Sequence, residues 1–236
     1  MGIFMAGVAA CSWLITEGIA GAIQEDFLVY YYWDSFTRLG FYVVVAMLLS
    51  SLKEKLVRQR ELARTDSVTG SANARHFREI MELEIERFHR YEKPFAVIYF
   101  DLDHFKVVND TLGHHVGDEV LVTVVNVTRK VLRASDLVAR LGGDEFGVLM
   151  PETSEGRAER AMERLQMALL DAMKARDWPV TFSLGCISCV DDSPDAIELL
   201  QLVDQLMYRV KNSGKNGRQH MTYAEAKTAL MPQGAA

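Results

Sequence analysis

Four carboxylates stand where chemistry could use them. Asp101 and Asp103 close the run FAVIYFDLD, and Asp144 and Glu145 follow Gly142 and Gly143 in RLGGDEFGVLM (140–150). A short, continuous apolar run is the pattern of a buried central strand, so Asp101 marks the place where such a strand opens to solvent. Two glycines between apolar stretches read as the bend of a hairpin, and they let backbone approach a ligand closely. Clustered carboxylates repel one another unless a proton or a cation sits between them. Magnesium prefers hard oxygen ligands and is commonly held by one or two carboxylates together with substrate phosphates. There it activates a hydroxyl and offsets charge on a phosphoryl group. Plainer readings exist for each acid. Asp103 precedes HFKVVND and could cap a helix, and Asp144 with Glu145 could be an ordinary acidic turn. The chemical reading requires the two strands to be neighbours, so that Asp101 and Asp144 converge.

The surrounding pattern supplies the elements to do this. ANARHFREIMELEIERFHRYEK has helical spacing, with Phe77, Ile80, Met81, Ile85 and Phe88 on one side. A strand at FAVIYFD and a helix over GDEVLVTVVNVTRKVLR come next. DLVARLGGDEFGVLMP reads strand, turn, strand, and SEGRAERAMERLQMALLDAMKARD is a helix opened by Ser154 as cap. PVTFSLGCIS is a further strand. SPDAIELLQLVDQLMYRVKNSG is a last long helix, with Ser193 before Pro194 at its start and Gly214 past its end. Helices and strands that intermix around a hairpin imply an α/β (α+β) domain: a mixed, largely antiparallel sheet flanked by helices.

The N-terminal quarter differs in kind. Residues 2–23 are almost wholly apolar apart from Glu17, and a second apolar run covers 39–52. A bilayer span needs about 20 apolar residues. The first run has that length. The second reaches it when residues 35–38 are included, with Arg38 snorkelling to the surface. The sequence therefore predicts two membrane helices joined by a short outer loop at QEDFLVYYYWDS. Lys53, Lys55, Arg58, Arg60 and Arg64 place the chain beyond Leu52 in the cytoplasm. Two buried helices of a soluble domain are the alternative. SLKEKLVRQRELARTD continues as a helical linker, its partial stripe of Leu52, Leu56, Leu62 and Ala63 suited to a short coiled coil between two chains. The predicted organisation is thus 1–52 membrane segment, 53–65 linker, 66–223 catalytic domain and 224–236 tail. The net charge of −6 argues against a nucleic-acid polymer as partner. Cys186 and Cys189 look like a CxxC, but three apart on a strand they point to opposite faces, so they fit a reducing compartment rather than a metal site.

RLGGDEF, preceded by FDLDHFKVVNDTLGHHVGDEVL, resembles the GGDEF domain of diguanylate cyclases. TDSVTGSANARHF and MYRVKNSGKNGR are similar to that family's opening and closing segments, so the resemblance covers about 66–218. It implies a palm-like nucleotide-cyclase architecture. Each subunit would bind one GTP, and two facing subunits would join them into cyclic di-GMP. Carried over by position, Asp101 and Asp144 would hold two Mg2+ ions, or Mn2+ in their place, with the Leu102 carbonyl assisting. Glu145 would lie near the reacting 3'-hydroxyl, and Gly142 and Gly143 would leave room for the phosphates. Phe105 and Lys106 would approach the triphosphate, and Lys211 and Lys215 its outer phosphates. Lys215 replaces the family's usual Arg, which keeps the charge and loses the fork. Asn109 and Asp118 would read guanine. His114, in the family's GHxxGD run, would contact the ligand or serve structure. NSGKNG is not a P-loop, so metal, short loops and lysines must hold the nucleotide. Ser71 and Ala74 depart from the family's usual residues at those positions, outside the metal site.

Arg133 and Asp136, in RASD just before the hairpin, resemble the family's inhibitory product site, although an Arg three before an Asp could be a local ion pair. The implied protein is a homodimeric cyclase at the inner (cytoplasmic) membrane, with its catalytic domain in the cytoplasm and cyclic di-GMP as product and inhibitor. The alternatives are a non-catalytic cyclic di-GMP receptor acting through Arg133 and Asp136, and a structural membrane protein that only dimerises.

Overall fold

A computed structural model of the protein describes residues 25–62, 64–192 and 194–230. The chain divides into two compact units, Met1–Ala63 and Arg64–Ala236. In the first, one helix, α1, runs Glu25–Leu62. Within it Ser35–Glu54 is long and apolar enough to cross a bilayer, by length and composition. Trp33, Phe36, Phe41, Met47 and Leu48 on it are exposed. The expected outer loop is corrected here: from Glu25 onward the aromatic segment is helical. Neither proline nor glycine interrupts 25–39, so nothing in that stretch breaks the backbone ladder. The first predicted span lies outside the described residues.

In the second unit the order is β1 (Ala72–Asn73), α2 (Ala74–Tyr91), β2 (Phe95–Asp103), α3 (Phe105–Leu112), α4 (His114–Val131), β3 (Leu137–Gly142), β4 (Glu145–Met150), α5 (Glu155–Lys174), β5 (Thr181–Cys189), α6 (Ala196–Asn212), β6 (Arg218–Thr222) and α7 (Tyr223–Leu230). The six strands form one mixed sheet in the order β1-β3-β4-β2-β5-β6. Its four inner strands are antiparallel to one another, and the short edge strands β1 and β6 pair parallel.

Strand β2 lies between β4 and β5, and its alternation divides the core. Ala96, Ile98, Phe100 and Leu102 pack with Val120, Val124, Met162 and Leu165 of α4 and α5. Phe95 and Val97 face the other way, with Phe77 and Met81 of α2 and Leu202, Val203 and Leu206 of α6. Of the predicted stripe, helix α2 buries Phe77, Met81, Ile85 and Phe88, and Ile80 is half-buried beside them. Cys186 and Cys189 are buried in opposite halves of the core, as strand geometry requires, and burial pushes both thiols up.

Three local expectations change. Helix α6 begins at Ala196 rather than at Pro194, and Asp195 caps it, its carboxylate accepting from the Ile197 and Glu198 amides; Ser193, named at the predicted start, lies outside the described residues. Ser154 occupies the N-cap of α5, but its hydroxyl accepts from the Arg157 guanidinium instead of a backbone amide. Residues 224–230, read as part of a tail, belong to α7, whose Ala226 is buried in the α6 half of the core beside Tyr223.

Candidate active site

Period-two geometry sends Asp101 and Asp103 to the same side of β2 as Phe95 and Val97, the side that α6 covers. Asp101 is opposite Glu145 of β4 in register, and the Leu102 amide donates to the Asp144 carbonyl at 3.2 Å. The strand end and the glycine bend therefore meet, as the sequence required. Gly143, at φ 44°, makes the bend with Asp144, and nothing lies within 4 Å of a Cβ built on Gly142 or Gly143, so space in front of the hairpin is open. Arg140 stabilises the turn from behind. Its Nε and Nη2 donate to the Gly143 carbonyl at 2.9 and 2.7 Å, while Nη1 reaches Asp66 at 3.3 Å. Burial raises the Asp66 carboxyl, but hydrogen bonds from Thr69 and the Arg140 guanidinium outweigh it and hold that group below its ordinary value.

Asp101 is 1% exposed. Its Oδ2 accepts from Lys211 Nζ of α6 at 2.8 Å, and its Oδ1 is buried with no hydrogen-bond partner. A buried acceptor without a donor is costly, and such an atom needs an explanation. Burial raises the Asp101 carboxyl; Lys211 opposes this, while Asp144 and Asp103 add to it, and the result stays above the ordinary carboxylate value. Burial works against the charged Lys211, but Asp101, Asp144 and Asp103 together hold its ammonium more firmly protonated than usual. Glu145 is also raised, by burial first and then by Asp101, Asp204 and Asp144. One ammonium thus faces an excess of acids, and the group is short of positive charge. No cluster of three or more His, Cys, Asp or Glu side chains forms a complete metal cage among the described residues. The arrangement suits a cation that takes few protein carboxylates and draws its remaining ligands from a substrate. The orphaned Asp101 Oδ1 is the atom that fits it.

A second group lies on the far side of β2. Phe105 and Lys106 open α3, His114 opens α4, and Asn109 and Asp118 sit on these two helices. Gly117 draws the helices together: a Cβ there would overlap Asn109 Oδ1 and lie 3.3 Å from Phe105 Cζ. Sequence reasoning missed Gly117, although its position directly before Asp118 was a signal. Gly185 is another such case. A Cβ on it would lie 2.5 Å from the Met207 amide nitrogen, so only glycine lets α6 settle this closely on β5. Lys211 stands one turn beyond Met207. Lys215 is exposed in the loop after α6, at φ 64°.

Arg133 and Asp136 are apart from this site. They precede β3, whose Leu137 pairs with Leu149 at the opposite end of β4 from Glu145. The Asp136 carboxylate accepts from the Arg133 amide at 2.9 Å, which leaves the Arg133 guanidinium to the surroundings. Both residues line a cavity of about 310 Å³ with Arg157, Arg160 and Arg164 of α5. The three helix arginines were not singled out in the sequence; their spacing on the exposed side of α5 was the available signal.

A six-stranded mixed sheet with helices on both faces and acids at the end of its middle strands is a mixed α/β architecture. The chain belongs to the GGDEF domain family: residues 63–217 match the family model for the diguanylate cyclase GGDEF domain. It is 36% identical over 162 residues to the probable diguanylate cyclase DgcT of Escherichia coli, covering 66% of this chain and 35% of that protein. It is 37% identical over 177 residues to the cyclic di-GMP phosphodiesterase NbdA of Pseudomonas aeruginosa, covering 74% of this chain and 23% of that one. The chain thus spans about a third or less of the length of these relatives. Among solved structures it is similar to the GGDEF domain of YfiN (TpbB) from Pseudomonas aeruginosa, with a TM-score of 0.59 and 32% identity over 64% of this chain and 97% of that one.

Proposed function

We propose that the protein is a diguanylate cyclase. Two GTP molecules, one on each of two facing chains, are joined when each 3'-hydroxyl attacks the α-phosphate of the other. Two phosphodiester bonds form, two pyrophosphates leave, and cyclic di-GMP results. The observation that carries this reading is the buried, unpartnered Asp101 Oδ1 beside the Asp144–Glu145 bend. Asp101 and Asp144, with the Leu102 carbonyl, would hold divalent cations, Mg2+ or Mn2+. Bound there, such ions supply electrostatic stabilisation to the phosphoryl group and lower the pKa of the attacking hydroxyl. Glu145 lies beside the place where the 3'-hydroxyl loses its proton. Lys211 and Lys215 neutralise the outer phosphates, Phe105 and Lys106 border the triphosphate, and Gly142 and Gly143 leave it room. Asn109 and Asp118 select guanine, whose N1–H and exocyclic amine suit a carboxylate acceptor, with His114 at the rim. A site built for such bonds leaves polar groups unpaired with the wrong base.

Each chain carries half of the reacting pair, so the active form is a homodimer. The linker end of α1 is suited to hold two chains together, and Ser35–Glu54 to anchor them in the cytoplasmic membrane, with the cyclase domain in the cytoplasm. Cyclic di-GMP would also bind as an inhibitor in the cavity of Arg133 and Asp136, where several guanidiniums can meet its phosphates and guanine edges. The direct test is incubation of the full chain, in detergent, with GTP and Mg2+, followed by mass spectrometry. Cyclic di-GMP from the wild type and none from Asp144→Ala is the expected result. No product, together with tight cyclic di-GMP binding, would favour a receptor acting through Arg133 and Asp136.

A further inference from the structure

Asp103 has no part in the proposed chemistry, yet it is 1% exposed and heavily engaged. Its Oδ1 accepts from Ser183 Oγ at 2.9 Å. Its Oδ2 accepts from Thr181 Oγ1 at 2.9 Å and from the Asn216 amide at 3.0 Å. It does not cap α3, whose N-cap is His104 and has no side-chain cap bond. The contrast with Asp101 is plain: there one oxygen lacks a partner, whereas both oxygens of Asp103 are occupied.

The Asn216 contact crosses from β2 to the loop after α6. Lys215 and Asn216 both adopt left-handed backbone, at φ 64° and 45°; asparagine visits that region readily, whereas lysine holds it only where surrounding contacts impose it. Besides the bonds of Ser213 to the Arg209 and Val210 carbonyls at the helix end, two others tie this loop, from the Leu184 amide to the Gly217 carbonyl and from the Lys215 amide to the Val210 carbonyl. Neither reaches the carboxylate-bearing strand; both stay with β5, α6 and the loop itself. We propose that Asp103 is a positioning residue that locks the Lys215 loop onto the metal-facing end of β2 and so sets where the Lys215 ammonium meets the GTP phosphates. The proposal rests on the cyclase reading for its consequence in turnover, but not for the anchoring itself.

Asparagine distinguishes this role from a metal or charge role. Its amide oxygen, at the place of Oδ2, accepts from Asn216 and Thr181, and its NH2 donates to the Ser183 hydroxyl, which can turn to accept. Amide exchange and steady-state rates would be measured on the full chain in detergent. In Asp103→Ala the Asn216 amide is expected to exchange about tenfold faster than in the wild type, whereas Asp103→Asn retains its protection. With GTP, Asp103→Ala raises KM about tenfold and leaves kcat nearly unchanged, the sign of lost uniform binding. Lys215→Ala does the same, the Asp103→Ala/Lys215→Ala double variant is no worse than either single, and Asp103→Asn stays close to wild type. Unchanged Asn216 exchange in Asp103→Ala, additive effects in the double variant, or an Asp103→Asn enzyme that loses turnover would each overturn the proposal. If Asp103→Ala does not fold, Asp103→Asn and Lys215→Ala decide alone, by retained and weakened GTP binding respectively. A wild type that makes no cyclic di-GMP while Asn216 exchange behaves as stated would refute the cyclase reading and leave the anchor standing.

Discussion

Replacing Gly185 by alanine tests how closely α6 must lie on the sheet for Lys211 to reach Asp101. The added Cβ would sit 2.5 Å from the Met207 amide nitrogen and 3.0 Å from its Cα, where ordinary contact begins near 3.4 Å. The obstacle is backbone, so no rotamer change relieves it. Helix α6 or strand β5 must move by about 0.9 Å, the shortfall of the 2.5 Å approach from 3.4 Å. Overpacking of this kind typically costs about 1–3 kcal/mol. A domain of this size loses roughly 2–4 °C in Tm per kcal/mol, so a drop of about 2–12 °C is expected. The larger effect falls on activity. Lys211 stands one turn beyond Met207, and its 2.8 Å bond to Asp101 cannot survive a shift of that size without rearrangement. Misplacing a reacting group by about 1 Å can cost 10²-fold in rate. Pyrophosphate release by Gly185→Ala should therefore fall about a hundredfold at a temperature where the variant is still folded. Thermal melting monitored by circular dichroism supplies that check. Turnover within about twofold of wild type in a variant that melts several degrees lower would refute the coupling of α6 height to the Lys211 contact.

Glu145→Gln probes the charge imbalance. The folded-state pKa of Glu145 lies above its ordinary value of 4.5, so this group's contribution to stability is full below that value and is lost as pH rises through the folded one. Without divalent cations, Glu145→Gln should melt higher than wild type near pH ~8, the difference closing below pH ~4.5; an equal or lower Tm at the higher pH contradicts the assignment. Gly117→Ala forces Asn109 Oδ1 aside, so KM for GTP should rise about tenfold and discrimination against ATP should fall, both read from competition assays. Arg133→Ala should relieve inhibition by added cyclic di-GMP while sparing the initial rate. Inhibition at unchanged product concentration would count against the cavity as the regulatory site.

What the sequence could reveal depended on distance along the chain. The apolar run ending in Asp101 and the glycine bend carrying Asp144 are local patterns, and their apposition needed only that β2 and β4 be neighbours. Lys211 was legible through its motif, but its 2.8 Å bond to Asp101 depends on Gly185 admitting α6. That dependence is invisible without the fold. Asp103 shows the same limit. Its partners Ser183 and Asn216 lie 80 and 113 residues away, so the nearest reading, a cap on the adjoining helix, was the natural one and was wrong. Edge strands β1 and β6 are short and have no strong alternation, so pattern could not find them. At the start of α1, clustered aromatics suggested an interfacial loop. Helical backbone there results from the lack of any breaker, a weaker signal than hydropathy.

Binding of Mn2+ to the full chain, read by electron paramagnetic resonance with a non-hydrolysable GTP analogue present, asks most directly whether the acids at the end of β2 and at the glycine bend take up divalent cations. Saturable Mn2+ uptake by the wild type, lost for the most part in both Asp101→Asn and Asp144→Asn, is the predicted result. Equal uptake by the wild type and the two variants, or none by the wild type, would contradict it.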